Sequence, residues 1–334
     1  TPGTADAART AKGFPTPLRP AARTVRRVPV TDEGAGAAIE VRTRGGPGWP
    51  QGLLSIASPP QRLWLRGRAG LLGDDPRVAI VGTRAPTPYG SAQAERFGAE
   101  LARAGVCIVS GLARGVDSSA HTGALAVGGR TIAVLGSGVD RPWPGGPLGD
   151  RIAREGLLLS EFPPGAGPRR HHFPLRNRII AALSDAVLVV EAAARSGSLI
   201  TARWAAEQGQ TVFALPGRVD HPMAEGTLAL LREGATPVGA PRALLEDLYG
   251  VGSALDRSSG DASDSDPAPA RTDDERAVLN ALTGETLRAA EVARIAGLDV
   301  GRALAALQTL GLDGDVRACP GGLYERARGG PAGG

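Results

Sequence analysis

Val78-Ala79-Ile80-Val81-Gly82-Thr83-Arg84 sets the reading of this chain. Four consecutive apolar residues, with no polar alternation, are stopped by a glycine. Such a run is what a strand buried on both faces requires, and sheets covered on both faces are built from parallel strands joined by helices. The same unit recurs downstream. Tyr89 to Ala104 carries Phe97 and Leu101 one turn apart and stops at Gly105, which predicts a helix. Strands are predicted at Val106–Val109, Thr131–Leu135, Leu157–Ser160, Ala186–Glu191 and Thr211–Ala214. Between them helices are predicted at Val116–Ala126, Asp150–Arg154, Asn177–Leu183 and Ser198–Gln208, with Leu228–Arg232, Ala235–Val238 and Pro241–Leu248 closing the unit. The alternation predicts an α/β fold over residues 46–249: an extended Rossmann-like, doubly wound, mostly parallel sheet, entered through a lead-in from Trp49 to Gly67.

The flanks read differently. Residues 1–45 are rich in Ala, Arg, Pro and Gly and are expected to be a weakly ordered or remnant N-terminal region, with a short strand near Ala38–Val41. The chain opens on Thr1, as expected of a processed or truncated protein. Residues 250–271 hold Gly, Ser, Asp, Pro and Ala with few apolar side chains, the composition of a flexible linker. Three helical segments (Glu275–Leu282, Ala289–Ala296, Val300–Leu310) and a hairpin signal around Cys319–Gly322 predict a small C-terminal winged-helix domain at 272–326, followed by a disordered tail at 327–334.

Composition narrows the function. No apolar run approaches the roughly 20 residues that span a bilayer, and nothing resembles a secretory signal. Cys107 and Cys319 lie far apart, which is no disulfide framework and fits a reducing cytoplasm. Cytoplasmic location without a membrane partner is therefore expected. The net charge of +4 is carried almost entirely by arginine, Lys12 being the only lysine. A GC-rich genome accounts for that bias, yet Arg forks also pair bidentately with phosphate and stack on bases.

Several predicted strands end in small or cationic residues. Gly82, Thr83 and Arg84 end the first, and Gly82 allows an anion to approach the following helix start. Ser110, Gly111 and Arg114 end the second, where Asp117 reads as a cap and His121 as a packed or capping residue. Gly136-Ser137-Gly138 ends the third, with Gly138 a further candidate to present backbone N–H groups. Phe173-Pro174-Leu175-Arg176-Asn177-Arg178 precedes the fifth strand and combines an aromatic ring, two guanidinium groups and an amide, the kit for stacking on bases and pairing with phosphates. Ser196, Gly197 and Ser198 follow that strand and form a candidate anion nest. Parallel sheets bind ligands beyond their carboxyl edges, so these segments are expected to converge on one crevice. His171-His172 lacks further ligands at metal-binding spacing, and no metal, cofactor or catalytic residue is assigned. No P-loop is present, and no Ser/His/Asp or Cys/His set commends itself.

Taken in order, Val81–Arg84, Ser110–Asp117, Leu159–Gly165, Phe173–Ala181 and Arg195–Ala202 resemble the DprA/Smf family of bacterial DNA-processing proteins. The resemblance implies a non-enzymatic protein that binds and protects single-stranded DNA, forms a homodimer and loads the RecA recombinase in natural transformation, with DNA repair a further setting. It also implies phosphate contacts from Arg84, Arg114, Arg176 and Arg178, base stacking by Phe173 and a polar contact from Asn177. A dimer surface is expected within Glu225–Tyr249, with Leu228, Leu230, Leu231 and Val238 as candidates. The family's N-terminal helical domain is not recognisable in Thr1–Arg44. The competing reading is a nucleotide phosphoribohydrolase on a lysine-decarboxylase-like Rossmann fold, but Arg195–Ala202 has no glutamate where that family carries one.

Overall fold

The computed structural model describes residues 38–73, 76–250, 272–312, 315–319 and 322–327. The N-terminal region before Ala38, the 251–271 stretch expected as a linker and the tail from residue 328 lie outside these. The chain divides into two compact units, residues 1–261 and 262–334.

In the first unit the strands are β1 (Ile39–Thr43), β2 (Arg62–Gly67), β3 (Arg77–Val81), β4 (Cys107–Ser110), β5 (Thr131–Leu135), β6 (Leu157–Ser160), β7 (Ala186–Val189), β8 (Thr211–Ala214) and β9 (Thr236–Pro237). They form one sheet in the order β1-β2-β6-β5-β4-β3-β7-β8-β9. From β6 to β9 all neighbours are parallel, while β1 pairs β2 and β2 pairs β6 antiparallel. The helices are α1 (Pro88–Arg103), α2 (Val116–Ala126), α3 (Pro147–Glu155), α4 (His172–Ala182), α5 (Ser198–Glu207), α6 (Glu225–Arg232) and α7 (Pro241–Tyr249).

Alternate residues of each central strand serve opposite cores. Val78 and Ile80 of β3 pack with Phe97 and Leu101 of α1, Ala120 of α2 and Leu244 of α7. Ala79 and Val81 face the other way, toward Ile179 and Ile180 of α4, Ala202 of α5 and Leu230 of α6. Both faces are covered, which is why β3 reads as an unbroken apolar run. The winding order places the site. After β3 the chain moves outward through β4, β5 and β6, then returns to lay β7 against the other side of β3. The crevice beyond the carboxyl ends of β3 and β7 is the switch point at which such sheets bind ligands.

The lead-in contains more structure than its sequence predicts. Leu63 and Leu65 of β2 are fully buried on one face of the strand, with the half-buried Trp64 between them on the other, and Pro59-Pro60 lies just ahead of the strand. Leu230 and Val238, two of the candidate dimer residues, are core residues of the unit itself. Among the described residues no helix is long and apolar enough to cross a membrane.

The second unit holds α8 (Asp273–Ala281), β10 (Thr286–Arg288), α9 (Ala289–Ala296), α10 (Val300–Leu312), β11 (Val316–Cys319) and β12 (Leu323–Arg326), with strand order β10-β12-β11. This is a winged helix; β10, absent from the sequence reading, is its short third strand. Thr272 and Glu275 form a capping box that starts α8. Arg302, the cation of α10, is drawn to Asp274 by bonds of 2.8 and 2.6 Å, and Arg317 of the wing is paired with Glu325.

Candidate nucleic-acid interface

Four backbone segments meet at the carboxyl edge. Val81, Gly82 and Arg84 after β3, Ala113 and Asp117 after β4, Phe173, Arg176 and Asn177 of α4, and Ser196-Gly197-Ser198 before α5 line a crevice of about 430 Å³ together with Arg170. A hollow of about 370 Å³ shares Arg84, Ala113, Phe173 and Arg176 with it and adds Gly111 and Arg114.

Helix α4 carries the middle of the site and starts five residues earlier than its sequence predicts, at His172. Pro174 sits in the first turn, where no N–H is needed, so it does not delay the helix. The start is fixed by His172, whose ring stacks on Phe162 with centroids 3.8 Å apart and whose Nδ1 lies 3.0 Å from the Gly136 carbonyl. Phe173 is thereby placed half-buried at the rim, with the Arg84 guanidinium 5.2 Å from its ring centroid, a cation–π contact. Arg84, Arg114 and Arg170 are exposed around it.

Arg176 lies beneath this rim and is 4% exposed. Its Nη1 donates to the Gly111 carbonyl at 2.6 Å and to the Val134 carbonyl, tying α4 to the ends of β4 and β5. A side chain at position 111 would run into the guanidinium, so glycine is required there for close approach. The turn that offers this carbonyl is strained: Leu112 has φ 55°, the only positive value among the described non-glycine residues. Burial of the Leu112 side chain and two bonds to the Asp117 carboxylate, from the Gly111 and Ala113 amides at 3.1 and 3.4 Å, hold it. Burial pushes the Asp117 carboxyl up, partly offset by Arg176. Burial likewise lowers Arg176 to about 10, partly offset by Asp117, which leaves it a cation at neutral pH.

The helix start after Gly82, expected to admit an anion, is already occupied. Glu191, at the end of β7, accepts from the Thr87 amide at 2.9 Å and the Thr87 hydroxyl at 2.5 Å, so the chain's own carboxylate fills the N-terminus of α1. Gly82 is instead needed because a Cβ would strike Val116 and the Glu191 carbonyl. The open helix start is that of α5. There the Ser196 and Ser198 hydroxyls are 2.7 Å apart, Gly197 faces open space, and Asn177 Nδ2 donates to the Gly197 carbonyl at 3.1 Å.

Four of the expected residues are not at the crevice. Arg178 projects to the other side of α4, buried, with Nη2 2.6 Å from Glu161, so phosphate contact does not fit its place. Two helical positions separate it from Arg176, which turns it about 200° away. The Ser110 hydroxyl donates to the Ile80 carbonyl at 2.6 Å inside the sheet. The Gly138 amide donates to the Ala166 carbonyl, and the Thr83 amide to the Glu191 carbonyl. Arg170 escaped the sequence reading; the Arg169-Arg170 doublet ahead of Phe173 was its signal.

His121, on α2 below the site, is fully buried with Nδ1 2.6 Å from the Thr131 hydroxyl, which itself donates to the Ile108 carbonyl. Burial, reinforced by Arg176, lowers its pKa from 6.5 to about 3. The unfolded chain takes up a proton below about pH 6.5 and the folded one does not, so this group's stabilisation is full above pH 6.5 and fades as pH falls toward 3. Asp117 acts in the opposite direction, because its raised carboxyl favours the folded state as pH falls. Comparison with His121→Asn isolates the histidine: between pH 7 and 5 the wild type is expected to lose about 2 kcal/mol more than the variant in denaturant unfolding. Equal losses would contradict a neutral buried imidazole.

Residues 40–249 match the family model for DNA recombination-mediator protein A, and residues 262–322 that for the DprA winged helix domain. The chain belongs to the DprA family. Among its relatives, Protein Smf of Synechocystis is 46% identical over 214 residues, covering 63% of this chain and 54% of that protein. The putative DNA processing protein DprA of Mycobacterium tuberculosis is 42% identical over 260 residues, covering 75% and 64%. The chain thus spans between half and two thirds of the length of these relatives. The crystal structure of DprA from Streptococcus pneumoniae matches with 40% identity and a TM-score of 0.61, over 63% of this chain and 74% of that one. A Helicobacter pylori DprA structure, described for its single-stranded DNA binding mode, matches with 33% identity and a TM-score of 0.58, over 64% and 97%. The DprA matches coincide with the two units found in the fold, and every crevice residue lies within the first.

Proposed function

We propose that this chain is a non-enzymatic single-stranded DNA-binding protein and recombination mediator, which protects incoming strands and hands them to the RecA recombinase as a cytoplasmic homodimer. The observation that carries the DNA reading is the crevice itself. A half-buried aromatic ring, three exposed guanidinium groups and an open helix start lie together at the switch point of a parallel sheet. Rings stack on any base and guanidinium groups pair with any phosphate, so the expected binding is tolerant of sequence. The DNA-binding mode described for the Helicobacter pylori relative supports the same ligand. The mediator, RecA and homodimer readings rest on family membership; for the dimer, Leu228 and Leu231 remain the partly exposed candidates. The hydrolase reading finds no support. The buried carboxylates at this edge, Asp117 and Glu191, are both engaged by backbone amides, and Glu161 is paired with Arg178.

The winged helix is assigned an auxiliary role. Residues 272–326 contain nine acidic side chains against six arginines, and Arg302 and Arg317 are ion-paired. A groove-reading helix needs a basic face. A chain ending at Gly250 is expected to keep most single-strand affinity in a filter-binding titration; loss of nearly all of it would reverse the assignment.

Titration of single- and double-stranded oligonucleotides of one length at several salt concentrations tests the proposal. Single strands are expected to bind the tighter. Arg84→Ala and Arg114→Ala should each lower the log–log salt slope by about 0.7, the value for one lost phosphate contact on a single strand. Unchanged slopes in both variants, or preference for duplex, would overturn it.

A further inference from the structure

On the reading that the crevice holds a single strand, we infer that Trp143 is a second stacking platform, receiving a base next to the one on Phe173. Trp143 and Phe173 line the same hollow, with Arg84 and Arg114 on its walls. The indole is 50% exposed. A single exposed apolar side chain would by itself mean little; its position and its support give this one a role. Pro142 and Pro144 flank it, fixing the backbone torsions on both sides. The loop is also anchored independently of the indole. The Ser137 hydroxyl donates to the Arg141 carbonyl at 2.9 Å, the Arg141 amide donates to the Gly138 carbonyl at 3.1 Å, and the Asp140 carboxylate accepts from the Gly165 amide at 3.0 and 2.9 Å. Pro142 and the buried Leu112 both border Gly149 of α3. A rigid loop thus presents a half-exposed indole to the same hollow as the Phe173 ring, so little conformational freedom is lost when a base stacks on it. Two rings in one hollow, bordered by cations, fit two neighbouring bases with their phosphates directed to Arg84 and Arg114.

The test titrates oligothymidylate of about 20 nucleotides, longer than the usual single-strand site, against wild type, Trp143→Ala, Trp143→Phe and Phe173→Ala, following both tryptophan fluorescence and anisotropy of a labelled strand. Trp143→Ala is expected to weaken binding about 10-fold, within the range for one stacked base. Trp143→Phe, which keeps a ring, should retain most of the affinity but lose most of the quenching that wild type shows on saturation. Wild-type affinity in Trp143→Ala, or undiminished quenching in Trp143→Phe, would overturn the inference. If Phe173→Ala weakens binding while Trp143→Ala does not, only the second platform fails. If wild type does not bind the strand at all, the DNA reading fails with it.

Discussion

Arg176→Ala is expected to destabilise the α/β unit by about 3–5 kcal/mol, the cost of removing one partner from a buried charged network. Two carbonyls, of Gly111 and Val134, lose their donor. Asp117 loses the cation that offsets its burial. The strained turn at Leu112 loses the clamp between α4 and the ends of β4 and β5. For a unit of this size the thermal midpoint should fall by roughly 10 °C. Any loss of DNA affinity should follow from that loosening, because the guanidinium forms the floor of the crevice and is nearly inaccessible. Arg84→Ala, at the exposed rim, should leave the midpoint within about 2 °C. A thermally normal Arg176→Ala that bound DNA poorly would make Arg176 a direct phosphate ligand and contradict its structural place.

Phe173→Ala is expected to weaken single-strand binding about 10- to 100-fold, the range for one stacked base. The ring is half-buried at the first turn of α4 and lies under the Arg84 guanidinium. Truncation therefore removes the stacking surface and also releases the cation that would meet the neighbouring phosphate. Phe173→Leu separates the two contributions of the ring. It preserves apolar bulk against Gly136 but offers no π face, so it should behave close to alanine in binding and close to wild type in stability. Wild-type affinity in both variants would exclude stacking at this position.

The central strands were legible because burial on both faces leaves continuous apolar runs: β5, β6 and β8 have the bounds read from the sequence. Strand β2 was not, because its short apolar stretch Leu63-Trp64-Leu65 is hemmed by Arg62 and Arg66 close after two prolines, and its partner β6 lies about 90 residues away. The start of α4 was hidden by Pro174, which reads as a breaker yet is harmless in a first turn. That error concealed the helical phase, and phase decides that Arg176 faces Gly111 while Arg178 faces Glu161. Likewise, glycine at position 82 suggested a phosphate cradle, but which helix start stays open depends on Glu191, a residue more than 100 positions away whose contact with Thr87 no local pattern announces. The segments that build the crevice were visible in the sequence; which of their side chains face into it was set by tertiary contacts.

Hydrogen–deuterium exchange of the whole chain, with and without saturating oligothymidylate, tests the central claim most directly. The DNA reading predicts slowed exchange in peptides covering residues 82–87, 111–116, 170–178 and 196–201, with little change at the opposite sheet edge around Arg77, Asp185 and Thr211. Protection confined to the winged helix or to that opposite edge, with the four carboxyl-edge segments unchanged, would contradict it.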